Sequence, residues 1–115
     1  MKVEIRKKGE RTAILISFNT CTEKFDSNAE RIKFFKELHG WKQIIVKNRK
    51  RYIYHRPGIL SELPHIDVDK SVFIIMQDHL RKIEEFFKEW EEKVEFKMFP
   101  VLLNQEQFKK LREVE

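Results

Sequence analysis

The sequence has few of the residues that interrupt or cross-link a fold: one cysteine, three glycines and three prolines among 115 residues. A single thiol, Cys21, excludes an internal disulfide, and a cysteine-based zinc ribbon would need several more. So few glycines and prolines leave little room for flexible linkers. We therefore predict a single compact domain over residues 1–115.

Long apolar stretches are also missing. A typical apolar run covers only residues 72–76, whereas a helix needs roughly 20 apolar residues to cross a bilayer. Residues 1–8 carry charge at nearly every second position and contain no apolar core, so they do not resemble a signal peptide. We expect no membrane association and a cytoplasmic location.

Aspartate, asparagine and glutamine are scarce, with four of each, whereas there are 16 lysines and 15 glutamates. This composition is typical of proteins from hyperthermophiles. The net charge of +5 is unevenly distributed along the chain. Residues 1–60 hold 15 Lys/Arg and 6 Asp/Glu, a net +9, and residues 61–115 hold 9 and 13, a net −4. The split predicts a basic surface if the fold does not interleave the two halves.

Apolar periodicity predicts most of the elements. Residues 2–6 alternate as in a half-buried strand, and residues 11–19 are apolar on both faces, as in a central strand. A helix is expected to begin after Ser27, with Glu30 completing a capping box, and to end at Gly40.

A second strand pair is predicted at residues 41–47 and 51–55, joined through a turn at Asn48. Residues 57–70 are interpreted as a long connection. Beyond it we expect four further elements. They are a strand at residues 71–76, a helix capped by Asp78, a strand at 94–103 that is interrupted or ends near Pro100, and a last helix capped by Asn104 with Gln107.

The fold class is therefore α+β, in the order β-β-α-β-β-loop-β-α-β-α. We expect a single mixed or antiparallel sheet with two main helices on one face, and a ferredoxin-like elaboration is favoured. A winged-helix arrangement ranks lower because the three-helix bundle that would precede the wing is absent from the pattern.

The strongest candidate site is the predicted hairpin, which contains no acidic residue between Trp41 and Arg56. Tyr52 and Tyr54 share one strand face, where they could stack on unpaired bases while the cations bind phosphates. The cations are Lys42, Lys47, Arg49, Lys50, Arg51 and Arg56. The alternative is a half-buried strand whose tyrosines belong to the core and whose turn is simply solvated.

Weaker candidates lie elsewhere. His65, Asp67 and Asp69 would point the same way from an extended segment and could converge on a divalent metal. Glu95 and Lys97 resemble an acid–lysine pair of restriction-type nucleases, but the surrounding element order does not fit. Cys21, in a loop after a central strand, is a possible but unsupported nucleophile. No catalytic residue and no cofactor are predicted.

Two functions remain open. The first is a non-catalytic module that binds RNA or another single-stranded nucleic acid through the hairpin of residues 42–56. The second is a protein-interaction or regulatory domain that self-associates, as a homodimer, through a sheet edge or an aromatic face.

Overall fold

The computed structural model describes residues 12–113, and their contacts divide the chain into two compact units. Residues 25–62 form the hairpin unit. Residues 12–24 and 63–113 form the described part of the sheet unit. The strand predicted at residues 2–6 lies outside the described residues. A single domain over residues 1–115 stays a prediction.

The described helices and strands alternate along the chain. In order they are β1 (Thr12–Thr20), α1 (Asn28–His39), β2 (Trp41–Lys47), β3 (Lys50–Arg56), β4 (His65–Asp69), β5 (Val72–Met76), α2 (Leu80–Glu89), β6 (Val94–Leu102) and α3 (Gln105–Glu113). Short 3₁₀ turns occupy Thr22–Lys24, Leu60–Glu62 and Gln77–His79.

The sheet unit contains a four-stranded antiparallel sheet in the order β4-β5-β1-β6. Strand β1 lies inside it, as its apolar residues on both faces predicted. The side chains of β1 lie alternately on the two faces of the sheet, with Ile14, Ile16 and Phe18 on one face and Ala13 and Leu15 on the other. Each shares its face with the residues directly paired to it on the neighbouring strands. Both faces of β1 must therefore be covered.

Helices α2 and α3 cover opposite faces of this sheet. Phe87 of α2 lies 5.5 Å from Phe18 and 4.7 Å from Phe96, centroid to centroid. Phe108 and Leu111 of α3 pack instead with Ala13 on the other face. Each face of the sheet therefore has its own apolar core. Burial of apolar area in these cores is the main contribution to the stability of the unit.

The structure confirms the α+β class and antiparallel pairing, but the prediction of a single sheet is wrong. Strands β2 and β3 pair only with each other among the described residues and form a separate two-stranded sheet. The ferredoxin-like order, which needs this hairpin in the main sheet, is not confirmed. The two main predicted helices, α1 and α2, belong to different units.

Three local predictions are corrected. The connection predicted at residues 57–70 contains strand β4, which pairs with β5. Asp78 does not cap α2, because a 3₁₀ turn precedes that helix and its N-cap is His79, without a side-chain cap bond. Strand β6 continues through Pro100 to Leu102. An outer strand tolerates proline because one edge needs no donor.

The boundaries of α1 and α3 agree with the predicted caps. Ser27 Oγ accepts a hydrogen bond from the Glu30 backbone N–H at 3.2 Å. Glu30 Oε1 accepts a hydrogen bond from the Asp26 backbone N–H at 2.7 Å. In a standard capping box it would accept from the N–H of Ser27. At α3, Asn104 and Gln107 exchange such bonds at 3.1 and 2.7 Å. Local hydrogen bonding fixes these helix ends.

Candidate nucleic-acid interface

The hairpin of β2 and β3 closes through a two-residue turn. Asn48 and Arg49 both have positive φ, 54° and 64°, and Lys47 pairs with Lys50 across the last rung. Two consecutive left-handed residues define the type I′ turn, whose twist matches that of the flanking strands. Asparagine suits the first position, whereas the second is normally glycine. The tip therefore carries an arginine where the backbone favours a residue without a side chain.

Alternation along the two strands gives the hairpin two different faces. The aromatic face consists of Trp41, Gln43, Ile45, Lys47, Lys50, Tyr52, Tyr54 and Arg56. The aliphatic face consists of Lys42, Ile44, Val46, Arg51, Ile53 and His55. We call Lys47, Arg49, Lys50 and Arg51 the cationic tip.

No residue of β2 or β3 is buried. Tyr52 is 41% exposed and Tyr54 44%, and the aliphatic Val46 reaches 68%. The tyrosines are therefore not core residues. Both faces of this hairpin are thus exposed in the part of the chain that the structure describes, and exposed apolar surface of this kind is typical of binding sites.

Cations lie over the aromatic rings of this face. The Arg56 guanidinium carbon is 5.4 Å from the centroid of Tyr54, and Arg56 Nε donates a 2.6 Å hydrogen bond to Gln43 Oε1. The Lys36 ammonium of α1 is 4.1 Å from the centroid of Trp41. These cation–π contacts hold positive charge beside exposed rings.

The charge of the chain follows the two units and not its two halves. The hairpin unit holds nine Lys/Arg and four Asp/Glu, a net +5, while the rest of the chain holds 15 of each sign. Residues 12–24 and 63–113 share a unit, so parts of the +9 and −4 halves do interleave. Within the part of the chain that the structure describes, none of the hairpin cations forms an ion pair. The excess positive charge therefore remains available to a polyanion.

A contact between two glycines joins the base of the hairpin to the end of α1. Gly40, at φ 83°, closes the helix by donating to Lys36 O at 2.8 Å. A Cβ atom on Gly40 would lie 2.6 Å from Arg56 O and 2.8 Å from Gly58 N. The Ile59 N–H donates to Glu37 O at 2.8 Å. Close backbone contacts thus help to set the position of the hairpin on its helix.

The backbone strain at the tip leads to a stability prediction. A side chain in the left-handed region costs about 1–2 kcal/mol, part of which the greater flexibility of glycine cancels. We expect Arg49→Gly to raise the free energy of unfolding by about 1 kcal/mol in urea denaturation. Asn48→Gly, at a position that asparagine already tolerates, is the matched control and should give a smaller gain. An Arg49→Gly variant less stable than the wild type would contradict the assigned strain.

Of the three predicted metal ligands, the structure brings only two close together. His65 Nε2 lies 3.5 Å from Asp67 Oδ1, but a register shift between Asp67 and Asp69 interrupts the alternation that would align the third ligand. Asp69 Oδ1 accepts instead from the Lys70 N–H at 2.7 Å. Among residues 12–113 no group of three or more His, Cys, Asp or Glu side chains is placed to hold a metal ion.

Within residues 12–113, the weaker catalytic candidates belong to no group of metal-ligating side chains. Cys21 is half-buried and its backbone N–H donates to Lys93 O at 2.8 Å. Glu95 and Lys97 are both exposed on outer strand β6, opposite Asn19 and Ser17 of β1.

Sequence reasoning missed three residues of the aromatic face and its surroundings: Trp41, Gln43 and Lys36. The sequence did contain a signal for Trp41 and Gln43. Every second residue of a strand lies on the same face, and on β2 this places them with Ile45 and Lys47. Lys36 lies on another element, and only the tertiary structure brings it to Trp41.

No family model, curated protein or solved structure matches the chain. Of the helices described between residues 12 and 113, none is both long and apolar enough to cross a membrane.

Proposed function

We propose that the protein binds RNA or another single-stranded nucleic acid through the aromatic face and the cationic tip of the β2–β3 hairpin. The observation that carries this proposal is the exposure of Tyr52 and Tyr54 on one face, next to a tip whose cations have no acidic partner among the described residues.

The spacing of the tyrosines suits unpaired bases. Residues two apart on a strand face are separated by about 6.8 Å, twice the 3.4 Å spacing of bases along one strand of a duplex. Each ring can therefore stack on its own base once the bases have separated. Such stacking contributes about 1–3 kcal/mol per base and tolerates any sequence.

The cationic tip supports the same proposal. Lys47 and Lys50 are directly paired, although like charges opposite one another destabilise a sheet. Arg49 adds a strained backbone position. Phosphates bound between these side chains would remove the repulsion and release counterions, which makes binding strongly dependent on salt.

Binding of a labelled short single strand, followed by fluorescence anisotropy at several salt concentrations, tests the proposal. We expect log Kd to rise linearly with log salt. The triple variant Arg49→Glu, Lys50→Glu, Arg51→Glu should weaken binding by at least about 100-fold. It should also reduce the slope of log Kd against log salt (the salt slope) by about 2, since each lost phosphate contact lowers that slope by about 0.7.

The matched control is the triple variant Arg81→Glu, Lys82→Glu, Lys110→Glu, which makes the same charge change at exposed positions of α2 and α3. It should bind far better than the hairpin variant. Equal losses in the two variants would mean that net charge alone governs binding and would refute the assigned site.

The aliphatic face favours a second candidate, association with a protein or with another copy of the chain. Ile44 and Ile53 are paired across the strands and both are more than half exposed. Self-association through outer strand β6 is less favourable, because Pro100 lacks a backbone donor. Light scattering at high salt separates the candidates, since apolar association persists there and phosphate binding does not.

A further inference from the structure

An open cleft lies within the hairpin unit, between α1 and the base of the hairpin. Its volume is about 540 Å³, within the range of small-molecule sites, about 300–1,000 Å³. Its walls are Ala29, Ile32, Lys33, Lys36, Glu37, Trp41 and Pro57. The cleft is thus large enough for a planar ring system with a charged substituent.

The lining indicates the chemistry of the occupant. Ile32 is 42% exposed and Trp41 38%, so an apolar ring surface is open to solvent beside an aliphatic side chain. The Lys36 ammonium lies over the indole at 4.1 Å, and since both line the cleft, that ring face opens into it. Lys33 adds a second ammonium, 3.9 Å from the single carboxylate, Glu37. This combination suits an aromatic ring that carries an anionic group.

The cleft is continuous with the aromatic face. Trp41 pairs with Arg56, and the neighbouring pair on the same face is Gln43 with Tyr54. Trp41 and Tyr54 are therefore diagonal neighbours, about 7–8 Å apart, and Tyr52 follows about 6.8 Å further along β3. The three aromatic residues thus follow one another at similar backbone spacing along this face, from the cleft towards the cationic tip.

We propose that the cleft holds one nucleobase of the bound strand, stacked on Trp41, with the phosphate of that nucleotide contacting Lys33 and Lys36. This inference rests on the proposed function and assigns the path of the strand. The base replaces the Lys36 ammonium on the indole, and the flexible lysine then pairs with the phosphate. The following bases stack on Tyr54 and Tyr52, and the phosphates beyond them reach the tip.

Tryptophan fluorescence tests this path. The chain has two tryptophans, Trp41 and Trp90, so in a Trp90→Phe variant the emission reports the cleft alone. We expect a short single strand to quench this emission as it binds, at the same concentrations at which fluorescence anisotropy reports binding. Uridine or adenosine monophosphate should quench it as well, but only at concentrations at least about 10-fold higher, because a mononucleotide cannot reach the tyrosines or the tip.

Substitutions provide an independent readout. Trp41→Leu should weaken strand binding about 5- to 100-fold, the loss of one stacked base. Lys36→Gln should weaken it less and lower the salt slope by about 0.7. Trp90→Phe should leave binding unchanged.

The outcomes separate this inference from the function on which it rests. A strand that binds without changing Trp41 emission overturns the cleft assignment and leaves the hairpin function intact. Equal affinities for mononucleotide and strand overturn the proposed path, since the cleft would then act alone. Absence of strand binding to the wild type overturns both.

Discussion

Gly58→Ala is expected to unfold most of the hairpin unit. A Cβ atom on Gly58 would overlap the backbone nitrogen of Gly40 and lie 2.6 Å from both His39 C and Leu38 O. All three are backbone atoms, so no side chain can rotate to relieve the overlap, and the end of α1 must separate from residues 57–62. We expect a loss above about 4 kcal/mol, in the exceptional class for a single substitution.

Amide hydrogen exchange of the β2–β3 ladder, followed by NMR, measures this effect where it occurs. The matched control is Ser61→Ala, which removes the 3.1 Å hydrogen bond from the Gly58 N–H to Ser61 Oγ but adds no atom. It should cost about 1 kcal/mol. If the hairpin amides were as well protected from exchange in Gly58→Ala as in Ser61→Ala, the close backbone packing at Gly58 would be contradicted.

Phe87→Ala should be the most damaging truncation in the sheet unit. Its ring is fully buried, stacks on Phe96 at 4.7 Å and meets Phe18 and Phe86 at 5.5 and 5.4 Å. Its neighbours are rings attached to separate elements, which cannot collapse together to fill the space. The expected loss is about 3–5 kcal/mol of unfolding free energy, measured by urea denaturation.

Phe99→Ala provides the control for this truncation. Phe99 lies on strand β6, two residues beyond Lys97, and is 48% exposed. The same chemical change removes only about half as much buried area there, so we expect a smaller loss, about 1–2 kcal/mol. Similar losses for Phe87→Ala and Phe99→Ala would show that the Phe87 cluster does not carry the stability assigned to it.

The elements that the sequence predicted well are those fixed by local interactions. Ser27, Glu30 and Gly40 bracket α1 because caps depend on residues three or four positions apart. Strand β1 could be recognised as internal because its residues are apolar on both faces. Both kinds of signal are present in a short window of sequence.

The pairing of strands was not predictable in the same way. Ile44, Ile45 and Val46 are as apolar as a buried strand, and only the structure reveals that all three are exposed. Their composition therefore placed the hairpin in the main sheet. Residues 65–69 do alternate with period two, but from the sequence alone we interpret them as part of the long connection over residues 57–70. Which strands meet depends on the whole chain.

The candidate site was predictable as a stretch of residues but not as a surface. The absence of acids between Trp41 and Arg56 located the hairpin from the sequence alone. The exposure of its tyrosines, the ammonium over Trp41 and the cleft beside it depend on how α1 meets the hairpin. A count of charge by halves of the chain also did not show that the net charge of +5 equals that of the hairpin unit.

The two-residue turn at Asn48 and Arg49 determines which side chains can act together. If one residue were inserted there and a two-residue turn retained, the register of β3 against β2 would shift by one residue, which exchanges the two faces of β3 because the side-chain period of a strand is two. Tyr52 and Tyr54 would then move to the side of Ile44, and Trp41 would lose both aromatic neighbours without any of the three being mutated. The register that this turn sets is therefore itself a determinant of recognition: a related chain that uses the same three rings must also keep Gln43 paired with Tyr54.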